Sequence, residues 1–549
     1  MKRAHDGDDD NERPAKAQRL LHPDRLSGLS DELLVRVLSF IPVPSLLVCQ
    51  RVSKKFSRLS LDSELWKAAY YCTFVLPRAC RIPGIKDPAN ANRLHYSSRL
   101  SKWLEDDFLV KDGKQTNWKQ QYRLRHNWTQ GQCAVSEIVV AERPPDPPLL
   151  VMMSNSIVYA ADSISGLRAW SSKNDRGLLA STELVGEADT PRLPTSMAID
   201  AFERDDNLER VAIGFEDGSF SIYVLRKDQK RFQNLFTHPP STNGMLSALA
   251  YSSPYLLTMT EDHLLSLYAF EETPNRHGML EAPTLLYSLQ SHTARPPVSL
   301  SLRMNPASMT AAIAYSLPTY PSGWTVGIQE LILSHKGVLL ESRSATAAVE
   351  HSSTLSEYLS PSSPSVRSSS PFPGSSSEAF VPTVLSRSKP TSMSYSHPYL
   401  LVAHPDNTLS VYLVRSTSLA LLISSGNRLW GHTSSISGAH VGMRGKAVSV
   451  SRIGDELRVW DLEGSMKSSV NRQRSRNGEL SVRIQPSKVG EADTLRDTSG
   501  QQIGLRLALD QGFDDSSVSR GWVGFDEQNV VVLREKSEGS QSLVIYDFT

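Results

Sequence analysis

Cysteines are the strongest nucleophiles that this 549-residue chain offers, and it has four of them, Cys49, Cys72, Cys80 and Cys133. They form no CxxC pair, and no histidine stands at the spacing of a zinc site. The chain also lacks a GxSxG elbow, a Walker loop, a GxGxxG turn after a strand and an HExxH helix. The sequence therefore predicts no catalytic nucleophile, no metal site and no cofactor.

Paired carboxylates are the next candidates, because glycosidases use two acids that converge on one cavity. The pairs Asp205-Asp206 and Asp514-Asp515 stand in apparent loops, where solvated acids are common. We interpret them as surface residues and expect a chain that is not an enzyme.

Two further residue types are candidates for substrate binding and for regulation by phosphorylation. Arg168, Arg303 and Arg458 lie near predicted strand ends or turns, and a guanidinium group matches the geometry of phosphate. Arg168 and Arg458 also fit a solvent-facing position before an aromatic residue, so the substrate-binding residues stay unknown. Candidate phosphorylation sites precede proline in a Ser/Pro-rich stretch, where an unregulated spacer is the alternative; they are Ser360, Ser363 and Ser370.

The charge balance gives no general attraction to nucleic acids or acidic membranes, since 59 Lys and Arg stand against 58 Asp and Glu. No run approaches the roughly 20 apolar residues of a membrane span. The first residues are charged, unlike a signal peptide. We expect a cytoplasmic or nuclear protein with reduced thiols and neither a membrane nor a nucleic-acid partner. Basic clusters near Lys2 and Lys16 also resemble a bipartite nuclear-import signal.

The elements that would position these residues change along the chain. From residue 26 to about 128 apolar residues recur at helical spacing, and Ser30 and Asp62 stand where helices would begin. Such a small helical unit has more apolar positions than its own core needs, which favours burial against a partner. A private bundle core is the alternative.

Residues 26–70 resemble an F-box, in which Leu29-Ser30-Asp31-Glu32 replaces the usual Leu-Pro-x-Glu and Asp62-x-x-Leu65-Trp66 ends the pattern. The resemblance implies binding to a Skp-type adaptor and, through it, to a cullin-RING ubiquitin ligase. The adaptor contacts that it implies are Leu29, Glu32, Leu33, Leu34, Val37, Leu38, Leu46, Leu47, Val48, Val52, Phe56, Leu65 and Trp66.

After residue 133 short strands alternate with turns, and a unit recurs that ends in a strand with an aromatic residue. A partner strand precedes most of these endings, the last being GWVGFDE at 521–527. The seven endings are SGLRAW, DGSFSIYVL, DHLLSLYAF, SGWTVGIQEL, DNTLSVYLV, GDELRVWDL and QSLVIYDF.

The unit at 430–461 resembles a WD repeat, with Gly431-His432 at its start and Trp460-Asp461 at its end. The resemblance implies a buried network through His432 and Trp460, in which the turn acid Asp455 stands one residue late. Seven units imply an all-β propeller of seven degenerate blades. Residues 133–140, CAVSEIVV, are predicted to close it by joining the last blade.

We therefore expect a multidomain chain. Its predicted segments are a disordered tail at 1–24, an F-box at 25–72, a helical linker at 73–130 and a WD-like β-propeller at 131–549. Two insertions interrupt the propeller: a disordered Ser/Pro-rich one at 341–390 and a polar one at 464–500. The polar insertion includes a candidate outer strand at 480–485.

The two resemblances together imply a non-catalytic substrate receptor of a Skp–cullin–F-box (SCF) ubiquitin ligase, which marks a protein substrate for proteasomal degradation. The resemblances identify neither the protein substrate nor whether its recognition requires phosphorylation. An interaction scaffold that assembles a nuclear or cytosolic complex is the alternative.

Overall fold

The computed structural model describes residues 26, 28–76, 116–173, 176–186, 190–200, 208–271, 279–291, 295–319, 323–347, 388–417, 419–442, 445–451, 456–462, 481–486, 522–536 and 539–549. They belong to two compact units, Met1–His126 and Asn127–Thr549. The predicted disordered tail and most of both predicted insertions lie outside the described residues.

The first unit is helical. Its helices are α1 (Asp31–Leu38), α2 (Val43–Cys49), α3 (Lys54–Leu59), α4 (Ser63–Tyr70), which continues as a π-helical turn at Tyr71–Val75, and α5 (Trp118–Gln130), which crosses into the second unit.

Local signals explain where these helices begin. The side chain of Asp62 accepts a hydrogen bond from the backbone N–H of Glu64 at 2.9 Å, which caps α4. Ser53 caps α3 in the same way by accepting from Phe56 N–H at 3.2 Å. Ser30 occupies the predicted N-cap position of α1, but its side chain makes no capping bond.

The second unit contains seven antiparallel sheets, each formed mainly by strands that follow one another in the chain. The first is β2 (Leu150–Ser154), β3 (Ile157–Asp162), β4 (Gly166–Ser171) and β5 (Leu178–Thr182). The second is β6 (Pro194–Ile199), β7 (Leu208–Phe215), β8 (Phe220–Arg226) and β9 (Arg231–Thr237). The third is β10 (Leu246–Ser252), β11 (Tyr255–Thr260), β12 (Leu264–Ala269) and β13 (Thr284–Gln290).

The remaining sheets follow the same order. The fourth is β14 (Arg295–Met304), β15 (Met309–Thr319), β16 (Gly323–Leu333) and β17 (Leu339–Thr346). The fifth is β18 (Ser392–Ser396), β19 (Tyr399–Ala403), β20 (Leu409–Ser416), β21 (Leu421–Ile423) and β22 (Asn427–Leu429). The sixth is β23 (Ile436–Val441), β24 (Lys446–Ser451), β25 (Leu457–Asp461) and β26 (Ser481–Arg483).

The seventh sheet closes the ring. It combines β28 (Val523–Phe525), β29 (Asn529–Glu535) and β30 (Gln541–Asp547) with β1 (Gln132–Ala141) and the short β27 (Gln485–Pro486). The first strand of each sheet contacts that of the next, and β28 contacts β2. The strand predicted at 133–140 pairs with β30, from Ala134 opposite Asp547 onward, which confirms the predicted closure. The unit is a seven-bladed propeller.

Apolar residues fill the spaces between neighbouring blades. One cluster joins Tyr159 and Leu167 of the first blade to Ile213 and Leu225 of the second, and comparable clusters occupy the later junctions. A strand buried on both faces needs apolar residues at nearly every position, which explains continuous runs such as IVYAA at the start of β3.

The strand predictions need three adjustments. All seven predicted unit endings form the third strand of a sheet, but the last predicted partner is wrong: GWVGFDE contains β28, and β29 lies between it and β30. The outer strand β17 extends to Thr346, so the predicted insertion at 341–390 begins inside a sheet. The candidate outer strand at 480–485 is confirmed in part, because β26 covers only Ser481–Arg483 and pairs with β25, whereas Gln485 lies in β27 of the seventh sheet.

Candidate functional site

Helix α1 carries apolar side chains on both its buried and its exposed face. Leu34 is 0% exposed and packs in the core with Leu38, whereas Leu33 and Val37 are exposed to solvent. Leu33 and Val37 are spaced i, i+4 on the exposed side of α1, and Phe40 follows in the turn after the helix, where its backbone N–H donates to the Val37 carbonyl at 3.2 Å. We call these three residues the α1 stripe.

The other predicted adaptor contacts divide in the same way. Exposed residues are Glu32, Leu47, Val48 and Val52, whereas Leu29 is half-buried. The buried ones, which pack in the core of the helical unit, are Leu34, Leu38, Leu46, Phe56, Leu65 and Trp66. Only the exposed group can contact a partner without rearrangement of the unit.

Two exposed residues were not among the predicted contacts. Phe40 is 73% exposed, the most exposed phenylalanine among the described residues, and the guanidinium of Arg36 lies 4.8 Å from its ring centre. Leu61, in the turn between α3 and α4, is also exposed. The helical spacing from Leu33 would have identified Phe40, but no pattern in the sequence marks Leu61.

An ionic cluster fixes the start of α1 against α3. The carboxylate of Asp31 lies 2.5 Å from Arg58 Nη2 and 3.3 Å from Lys55 Nζ. Lys55 also donates a hydrogen bond to the carbonyl of Leu29 at 2.9 Å. These side chains are partly exposed, so each ion pair adds little stability, but together they orient α1.

The first turns of α5 complete the core of the helical unit. Trp118 is buried and meets the ring of Tyr70 edge-on at 5.6 Å, and Tyr122 meets Trp66 at the same distance. Lys119 Nζ donates to Gln50 Oε1 at 2.8 Å. The functional module of the first unit therefore includes residues beyond the predicted F-box boundary at 72.

In the sixth blade a hydrogen-bond network surrounds Ser449. Its hydroxyl lies 2.6 Å from His432 Nε2 and accepts a bond from Trp460 Nε1 at 2.8 Å, and all three side chains are buried. Burial lowers the pKa of His432 and keeps the ring neutral. The implied role of His432 and Trp460 in stiffening the blade matches this geometry.

The acid beside this network is Glu456. Its Oε2 accepts bonds from the backbone N–H and hydroxyl of Thr433 and lies 3.6 Å from His432 Nδ1, too far for a hydrogen bond. Arg458 Nη2 pairs with the other oxygen at 2.6 Å. Asp455, the acid that the sequence pointed to, lies outside the described residues, and Asp461 ends β25 opposite Lys446.

Three arginines considered for substrate binding are each engaged by a carboxylate within the propeller. Arg168 lies 2.5 Å from Asp162, Arg303 lies 2.6 Å from Glu330, and Arg458 pairs with Glu456. Arg168 also donates to the carbonyl of Val140 at 2.6 Å. These contacts favour a structural role. The candidate phosphorylation sites Ser360, Ser363 and Ser370 lie outside the described residues.

Within the part of the chain that the structure describes, no group of three His, Cys, Asp or Glu side chains is arranged to hold a metal ion. No helix in those residues has the length and hydropathy needed to cross a membrane.

Comparison with known proteins gives two family matches. The family described as F-box protein pof12 beta-propeller matches residues 133–549, and the F-box-like family matches residues 31–71. The F-box protein dre-1 of Caenorhabditis elegans is 33% identical over 104 residues, which are 19% of this chain and 9% of that protein. The chain therefore spans less than a tenth of that relative.

Two solved structures are among those to which this chain is similar. The WD40 beta propeller domain of Doa1 has 12% identity and a TM-score of 0.33, with 75% of this chain and 96% of that chain covered. Sqt1 of Saccharomyces cerevisiae has 10% identity and a TM-score of 0.38, with 75% and 98% covered.

Proposed function

Because this chain belongs to the family of F-box proteins with a pof12-type β-propeller, we propose that it is a substrate receptor of an SCF ubiquitin ligase. F-box proteins typically serve such ligases as receptors, and an F-box implies a Skp-type adaptor. The helical unit would bind the adaptor, and the propeller would bind the protein substrate, which we call the client.

The observation that carries this proposal is the exposed apolar surface of the helical unit. Its core is already filled by Leu34, Leu38 and their neighbours, so the α1 stripe is surplus to the unit's own packing. Transfer of apolar surface from water is worth about 25 cal/mol per Å², and an apolar helix face is a common means of binding a helical partner.

The construction of the propeller supports its proposed role. Seven blades closed by β1 give a rigid body whose exposed loops can bind a protein without a reaction of their own. A receptor accelerates ubiquitin transfer by holding a client lysine near the ubiquitin-loaded enzyme, so proximity supplies the rate gain. The receptor itself then needs neither a cofactor nor a catalytic residue.

The test is capture of the purified adaptor and cullin by the full-length protein and by the double variant Val37→Asp/Phe40→Asp. Both residues are exposed, so the variant should keep its thermal stability while it loses capture. Leu34 is unsuitable because it is buried, and a charge there would unfold the unit. Leu419→Asp, an exposed leucine of the propeller, is the matched control.

Each outcome is informative. Capture by wild type and by Leu419→Asp, with loss in the double variant, supports the adaptor surface. Equal capture by all three proteins contradicts the assignment of the α1 stripe. A stable complex with other proteins, without adaptor and without ubiquitylated clients, would favour the scaffold alternative.

A further inference from the structure

In four blades an arginine lies beside the turn that joins the second and third strands. These turns lie at one end of the propeller. In each case a carboxylate of that turn or strand end lies close to the guanidinium. The four pairs are Arg168–Asp162 at 2.5 Å, Arg192–Asp217 at 3.9 Å, Arg428–Asp406 at 2.5 Å and Arg458–Glu456 at 2.6 Å.

These arginines are poorly placed to bind a phosphate. Their side chains are only 12–22% exposed. Arg192 also donates to the hydroxyls of Ser219 and Ser221, and Arg458 donates to Ser481. A phosphate is recognised best by an open guanidinium fork, and a phosphate here would first have to displace a carboxylate.

Trp430 is an exposed aromatic residue in the same region, with 43% of its surface accessible. It directly follows β22, beside the turn that holds Asp406, and Asn407 Nδ2 donates to the Thr433 carbonyl across this site at 3.3 Å. The Arg428 guanidinium lies 5.5 Å from the indole ring centre.

The backbone next to Trp430 is closely packed. A Cβ atom on Gly431 would lie 3.0 Å from Arg458 Nη1 and 3.2 Å from the Trp460 ring, so this position leaves little room for a side chain. His432, the following residue, is held in the buried Ser449 network. Gly431 and His432 therefore fix the loop from which the Trp430 indole projects. The loss of conformational entropy at Trp430 on binding should accordingly be small.

We propose that Trp430 is a client contact and that the client presents a proline-containing extended segment, recognised without phosphorylation. An exposed indole is a good surface for the pyrrolidine ring, and aromatic surfaces commonly bind such preformed segments. The neighbouring charges cancel in pairs, Asp406 with Arg428 and Glu456 with Arg458, so an uncharged segment suits the site better than an anionic one. This inference depends on the proposed function of the propeller as the client-binding unit.

The first test is binding of the purified full-length protein to an array of short synthetic peptides. Proline-containing sequences would be printed beside their proline-to-alanine counterparts, each with and without phosphoserine. We expect binding that requires proline, that phosphoserine does not strengthen, and that falls roughly tenfold or more in Trp430→Ala, as for interface tryptophans elsewhere. Trp430→Phe, which keeps an aromatic ring, should retain part of it.

Several results would overturn the inference: binding only to phosphopeptides, binding that is the same in Trp430→Ala, or no bound peptide at all. If both Trp430 variants unfold at the wild-type temperature, loss of fold is excluded as the cause of weaker peptide binding. Leu419→Ala is the surface control, because Leu419 is 93% exposed.

The adaptor assay separates this inference from the proposed function. Trp430→Ala should capture adaptor and cullin as the wild type does, yet fail to ubiquitylate the clients whose modification is also lost in Val37→Asp/Phe40→Asp. If the double variant loses no client, the proposed function fails. If the double variant loses clients but Trp430→Ala leaves every client modified, the Trp430 inference fails while the proposed function stands.

Discussion

Replacement of Ser449 by alanine should destabilise the sixth blade far more than removal of one hydroxyl usually does. The hydroxyl serves two buried partners, His432 Nε2 at 2.6 Å and Trp460 Nε1 at 2.8 Å. Each buried polar group left without a partner costs about 1–3 kcal/mol. We expect a loss of about 3 kcal/mol, near the lower end of the summed range, because small shifts of the blade can relieve part of it.

Thermal unfolding of the full-length protein measures this loss. With an unfolding entropy of about 2.1 cal/mol/K per residue, about 3 kcal/mol in a unit of this size lowers Tm by about 3–4 °C. Ser437→Ala is the control in the same sheet, because Ser437 only donates to the Val450 carbonyl at 3.2 Å and leaves no buried donor behind. A Tm change for Ser449→Ala no larger than that of the control would refute the reasoning.

A double variant tests the mechanism as well as the magnitude. Trp460→Phe keeps an aromatic ring but removes the indole N–H, so Ser449→Ala should cost less in that background than in the wild type. Residues that share one network are expected to be non-additive by about 0.5–3 kcal/mol. Strict additivity of the two Tm changes would show that the bond from Trp460 contributes nothing.

Three further predictions concern other parts of the chain. Burial lowers the pKa of His404 to about 4, below its unfolded value of about 6.5. The free energy of unfolding should therefore fall by up to about 3 kcal/mol as the pH drops from about 6.5 to about 4. Urea unfolding at several pH values should show a smaller fall in His404→Gln. Deletion of residues 547–549 removes Phe548, which stacks on Trp128 at 4.1 Å, and should lower the Tm of the propeller by several degrees, whereas Thr549 alone should be dispensable. Trp118→Ala should weaken adaptor capture without touching the α1 stripe, because the helical core that supports the stripe loses a buried ring; full capture at the wild-type Tm would contradict this.

The repeating strands of the propeller were predictable because most third strands combine alternating apolar residues with a preceding turn and a late aromatic residue. The seventh blade shows where this reasoning fails. Asn529–Glu535 has a continuous apolar core, NVVVLRE, with no aromatic residue. The sequence pattern therefore favours GWVGFDE as the partner of the last strand, which is one strand too early.

The adaptor surface was predictable as a region but not residue by residue. Leu33 and Leu34 are adjacent in a helix of eight residues, and both satisfy a helical apolar pattern. Their roles differ because only one of them faces α3, α4 and α5, and that arrangement depends on contacts such as Trp118 with Tyr70, far apart in the sequence. Burial thus separates surface from core where periodicity cannot.

The weak sequence signature of most blades has a physical counterpart in the structure. In three blades a polar connection joins the second and third strands, or the turn between them, to a segment that lies before or after them in the chain. In the sixth blade a histidine and a serine supply it, whereas in the second Arg192 reaches Ser219 and Ser221, and in the fifth Arg428 reaches Asp406 and Thr408. A guanidinium group is long and offers five donors, so it can make this connection from several sequence positions. Blades of this chain therefore make the connection without a Gly-His motif, which makes their repeats hard to recognise from the sequence.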